Sequence, residues 1–131
     1  MIILEQIKLL VSLSRADGEM ASLERQYIFN IGQAHGLSAA EVEPLFNQVH
    51  EGVISQSLTS DQRFNYIFTL VELMKIDGRL YAEEIKFCAH IAGRLGYAPE
   101  AMFELLLKVQ SGQMDDEAKE ALKQSIAKHL D

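Results

Sequence analysis

Two pairs of acids stand at matching places in the chain: Asp17-Gly18 followed by Glu24, and Asp77-Gly78 followed by Glu84. Glu24 precedes Tyr27, Ile28 and Ile31 by three, four and seven residues, and Glu84 stands in the same way before Phe87, Cys88 and Ile91. At helical spacing this puts both glutamates on or beside an apolar stripe. Asp17 continues the row of Leu10 and Leu13, and Asp77 that of Leu70 and Leu73, each just past a helix end. An ionised carboxylate moved away from water needs hydrogen bonds, a basic partner, a proton or a metal ion.

Two kinds of chemistry satisfy that need. In the first, the aspartates accept hydrogen bonds from the backbone of the turn, while Glu24 and Glu84 reach back to first-turn N–H groups or pair with Arg15 and Lys75. Such caps contribute about 1 kcal/mol each. In the second, the acids bind a cation. The interval from Gly18 to Glu24 and from Gly78 to Glu84 matches that between the glycine and the last glutamate of an EF-hand loop, with Asp17 and Asp77 one place before the glycine. The first and third loop positions would then be Leu13 and Arg15, or Leu73 and Lys75. A cation there loses oxygen ligands and gains repulsion, so a standard EF-hand is excluded. A metal site would instead combine Asp17, Glu24, Asp77 and Glu84, an all-oxygen set suited to Ca²⁺, Mg²⁺ or Mn²⁺.

The elements that position these acids read as helices throughout, since apolar residues recur at three- and four-residue spacing and no run alternates as a strand would. Residues 10–52 align without a gap with residues 70–112, with Leu10/Leu70, Leu13/Leu73, Asp17/Asp77, Gly18/Gly78, Glu24/Glu84, Gly36/Gly96 and Gly52/Gly112 among the identities. The reading is a single all-α domain over residues 1–131, with two similar helical units about an approximate two-fold axis sharing one core. A first helix spans about Ile2 to Arg15. A second begins near Ala21, carries Leu23, Tyr27, Ile28, Ile31 and Ala34 inward, and stops at Gly36. Ser38 to Glu41 and Thr59 to Gln62 are capping boxes, Pro44 predicts a kink or tight turn, and Gly52 to Leu58 connects the units. Helices follow from Thr59 to about Lys75 and from Ala82 to Leu95. Another has Pro99 at its first position, and the last begins after Asp115-Asp116, whose negative charge suits a helix N-terminus, and ends near Leu130.

Twelve Lys+Arg against nineteen Asp+Glu give a net charge of −7, which repels phosphate backbones and anionic headgroups, so neither nucleic acid nor a lipid surface is an expected partner. The apolar start Met1-Ile2-Ile3-Leu4 is interrupted by Glu5 and Lys8, which predicts neither a signal peptide nor a membrane span. A lone cysteine, Cys88, forms no internal disulfide and fits a reducing, cytoplasmic setting. The four histidines have no zinc spacing with one another or with Cys88, and the glycines are dispersed at helix ends rather than gathered in a phosphate loop. No nucleophile or cofactor motif accompanies the acids, and the expectation is a non-enzymatic protein that requires no particular cofactor.

The phrases Arg15-Ala-Asp-Gly-Glu-Met and Lys75-Ile-Asp-Gly-Arg-Leu, each followed by Glu at the fixed interval, resemble the signature of the tellurite-resistance TerB-like proteins. That group also includes the N-terminal domain of a membrane-anchored DnaJ-type co-chaperone. The resemblance spans nearly the whole chain. It implies about seven helices, an acidic divalent-cation site on Asp17, Glu24, Asp77 and Glu84, and a protein partner. It further implies a role in stress response or as a module near membrane protein complexes. Two departures stand out: Ala21 and Tyr81 occupy a position that is often a small polar cap, and Glu19 is matched by Arg79, so the two halves differ in charge. The alternatives are a purely structural subunit of a larger complex and an enzyme using the same carboxylates as general acid and base.

Overall fold

The computed structural model describes residues 2–15, 22–47, 58–76, 82–109 and 114–128. They form seven α-helices, with no β-strand among the described residues: α1 (Ile2–Ser14), α2 (Ser22–Ala34), α3 (Ala39–Val42), α4 (Ser60–Met74), α5 (Ala82–Arg94), α6 (Pro99–Lys108) and α7 (Asp116–Ala127). The fold is all-α, as the spacing predicted.

Local chemistry sets the helix ends. The Ser38 hydroxyl accepts from the Glu41 N–H while the Glu41 carboxylate accepts from the Ser38 N–H, and Thr59 and Gln62 do the same at the start of α4. Asp115 caps α7 through Ala118 N–H at 2.8 Å. Gly36 and Gly96 take φ of 87° and 96° after α2 and α5, the left-handed conformation that ends a helix. The chain then closes identically, with Leu37 N–H donating to Gly32 C=O and Tyr97 N–H to Ala92 C=O. Pro99 opens α6 at its first turn, where its missing N–H costs nothing. Pro44 acts differently. Lacking an N–H to continue the ladder of α3, it stops that helix after four residues, and the chain continues as a 3-10 turn over Glu43–Asn47. At the matching place α6 carries Glu104 and runs unbroken.

The core is built around α1 and α4, which pack on each other. Every residue of α4 from Tyr66 to Met74 is buried, and α1 buries Ile7, Leu10, Val11 and Leu13 completely. A helix covered on all sides lies at the centre of a fold, and α4 has α1, α5 and α6 against it. Gln6 ties the pair with a hydrogen bond to Thr69 Oγ1 at 3.1 Å. Helix α2 covers α1 and meets α3 at Gly32, where a Cβ would lie 2.8 Å from Val42 Cγ2, so no larger residue enters there without displacing Val42. Helix α7 lies on α6, held by Ser125, whose hydroxyl donates to Glu104. That bond and Lys108 at 3.0 Å hold the Glu104 carboxyl below its usual range. Lys123 joins α7 to Asp61 of α4.

Three expectations require correction. Leu23 was expected inward and is 58% exposed. Ala34, the last inward position assigned to α2, is exposed as well. Helix α7 ends at Ala127 with Lys128 as its cap, before Leu130, which lies outside the described residues. The connection over 52–57 also falls outside them, though Leu58 at its end is buried. No helix among the described residues is long and apolar enough to cross a membrane.

Candidate functional site at the two helix junctions

Glu24 and Glu84 occupy the first turns of α2 and α5, and both are buried, with 7% and 2% of their surface exposed. Their neighbours Leu23 and Glu83 point to solvent. Each glutamate therefore holds the core-facing position of its turn, although an aliphatic residue is adjacent in the first unit. One turn further on, Ile28 and Cys88 are completely buried, so each carboxylate stands directly over an apolar layer. The first turn of a helix is the place where such a charge is tolerated, because the unpaired N–H groups and the helix dipole favour an anion.

The cations before the two junctions are used alike. Arg15 Nη1 donates to the carbonyl of Phe46 at 3.0 Å, and Lys75 Nζ to that of Leu106 at 2.7 Å and of Val109 at 2.6 Å. Arg15 and Lys75 are equivalent positions in the sequence alignment, and so are Phe46 and Leu106. In each unit the basic side chain ties the end of the first helix to the third segment, and the buried glutamate opens the helix between them. Asp17 and Asp77, the other two acids assigned to the site, lie outside the described residues.

The residues one turn after the glutamate differ between the two units, Tyr27 and Ile28 against Phe87 and Cys88. In the second, Cys88 follows Glu84 by one turn, and burial, helped by that carboxylate, pushes the thiol well above its ordinary range. Cys88 itself is completely buried in the core. In the first unit, the Tyr27 hydroxyl donates to Glu72 Oε1 at 2.6 Å. A second phenol–carboxylate bond joins Tyr66 to Glu5 at 3.0 Å. These pairs were missed in the sequence. The signal available was Glu72 inside the apolar run Thr69-Leu-Val-Glu-Leu-Met74, a charge that a central helix buries only when it has a partner.

Among the described residues no three His, Cys, Asp or Glu side chains gather as a metal centre would require. The described donors give one buried carboxylate per junction, fewer oxygens than a divalent cation takes. His35 and His90 are exposed. The chain matches no family model, no curated protein and no solved structure.

Proposed function

We propose that this chain is a non-enzymatic, TerB-like helical interaction module built from two copies of one unit. Its two acidic junctions take up a divalent cation through Glu24 and Glu84 together with Asp17 and Asp77. The observation that carries this reading is the burial of Glu24 and Glu84 at equivalent helix starts. A surface cap needs no burial, and two units that both retain a desolvated carboxylate in one place share a reason for it. The all-oxygen donor set favours Ca²⁺, Mg²⁺ or Mn²⁺ over zinc. The same reading has a protein partner and a cytoplasmic location, the latter supported by the buried, unpaired thiol of Cys88.

Thermal unfolding in each of these ions tests the proposal. A cation at about 100 times its dissociation constant stabilises the native state by about 2.7 kcal/mol, which for a chain of this size is a rise in Tm of roughly 10 °C. The rise is expected in the native protein and is abolished in Asp17→Asn/Asp77→Asn and in Glu24→Gln/Glu84→Gln. If the cation leaves Tm unchanged, or shifts native protein and both variants alike, the acids are caps and the cation reading fails.

A further inference from the structure

Helices α5 and α6 enclose an apolar groove of about 300 Å³ lined by Ile85, Ala89, Gly93, Met102, Phe103 and Leu106. Phe103, one of its lining residues, is 68% exposed, and Leu107 one turn further along α6 is 82% exposed. The first half of the chain shows how the equivalent place is filled. There Phe29, the counterpart of Ala89, packs on Phe46 with ring centroids 5.2 Å apart. Arg25, the counterpart of Ile85, lies 5.5 and 4.5 Å from the centres of those rings and reaches Glu43, the counterpart of Phe103, at 3.7 Å. The first half thus plugs its own groove with an aromatic ring and covers it with an ion pair. In the second half the ring is gone from α5, Gln33 is replaced by Gly93, and both members of the ion pair have become apolar. A Cβ added at Gly93 would meet nothing within 4 Å, so the space is open.

The missing ring and the surplus ring lie on the same face. We infer that a second copy of this chain covers this groove, Phe103 of each copy filling the place beside Ala89 and Gly93 of the other in a two-fold interface. A hole and a knob side by side on one surface are what a self-complementary pairing requires. The charges agree with it. Lys86, which also pairs with Glu83 at 3.8 Å, stands with His90 and Arg94 in one exposed stripe along α5, and exposed Glu100 stands one turn before Phe103 on α6. The two-fold exchange brings the acid of each copy toward the basic stripe of the other. Two helices of this length offer a face on the order of 400 Å² per copy, about half of what a tight interface buries. The dimer is therefore concentration-dependent. This inference concerns a different face from the acidic junctions and is independent of the cation reading.

Sedimentation velocity of the full chain from about 10 µM to about 1 mM tests it, a range that spans weak interfaces. Native protein is expected to pass from one-chain to two-chain mass with rising concentration. Ala89→Phe, which restores the plug of the first half, and Phe103→Glu, which restores its acid, are each expected to weaken association at least tenfold while helicity is retained. Phe103→Glu changes an exposed position, so it reports even if Ala89→Phe disturbs folding. Glu24→Gln/Glu84→Gln is expected to dimerise like native protein. Monomer throughout the range, or association unaffected by Phe103→Glu, overturns the inference.

Discussion

Leu73→Ala is expected to lower the unfolding free energy by about 3–4 kcal/mol, and Leu13→Ala by a similar amount. Both side chains are completely buried, one on each of the two helices at the centre of the core. Each truncation removes the transfer energy of the lost methyl groups and leaves a void between α1 and α4 that packed neighbours cannot close. A domain of this size is stabilised by only about 5–15 kcal/mol, so either change removes a large part of the total. Urea denaturation followed by circular dichroism checks this: the midpoint should fall with an unchanged slope. A loss below about 1 kcal/mol at either position would mean that the site collapses freely and is not the packed centre described above.

Tyr27→Phe is expected to cost about 2 kcal/mol, the contribution of a hydrogen bond to a charged group. The Tyr27 hydroxyl joins α2 to α4 by donating to Glu72, a carboxylate only 9% exposed, and phenylalanine removes that donor while keeping the ring. The bond also predicts alkaline sensitivity. Burial first, and then the charge and acceptance of Glu72, raise the Tyr27 hydroxyl far above the ordinary tyrosine value, and Tyr66 is raised by burial and by Glu5. The folded state holds these protons more tightly than the unfolded chain, whose tyrosines titrate near about pH 10. Their contribution is complete below that pH and is lost as pH rises above it. Native protein should therefore lose stability steeply above about pH 10, and Tyr27→Phe less so. Equal alkaline slopes in the two proteins would remove Tyr27 from this role.

The helix ends were legible in the sequence because the signals that make them are local. Ser38 and Glu41, Thr59 and Gln62, Gly36, Gly96, Pro99 and Asp115 each act within a few residues of themselves, and each does what its type predicts. The tight turn expected at Pro44 is the 3-10 segment. Leu23 shows where periodicity misleads. Four residues before Tyr27, it fits the apolar stripe, yet Glu24 takes the inward place in that turn and Leu23 faces solvent. The alignment of Glu24 with Glu84 held the better clue, since Glu83 and Glu84 are both acidic and polarity cannot choose between them. The pairing of Tyr27 with Glu72 spans 45 residues, and the groove depends on how α5 meets α6; neither leaves a trace in spacing along one helix. Of the candidate site, the sequence identified the two buried glutamates, while the use of Arg15 and Lys75 on backbone carbonyls required coordinates.

The proposed cation would give the doubled Asp-Gly…Glu a purpose beyond helix capping. The two proposals concern different faces of the molecule: the acids at the helix starts, and the apolar groove of α5 and α6. Paramagnetic resonance of Mn²⁺ in the presence of the protein measures cation binding most directly, because the free ion gives a signal that fades on binding. The account predicts saturable loss of that signal, with a dissociation constant below about 1 mM, within the range of known all-oxygen protein sites, and no such loss in folded Glu24→Gln/Glu84→Gln. An undiminished free-ion signal with native protein, or equal loss with the variant, would contradict it.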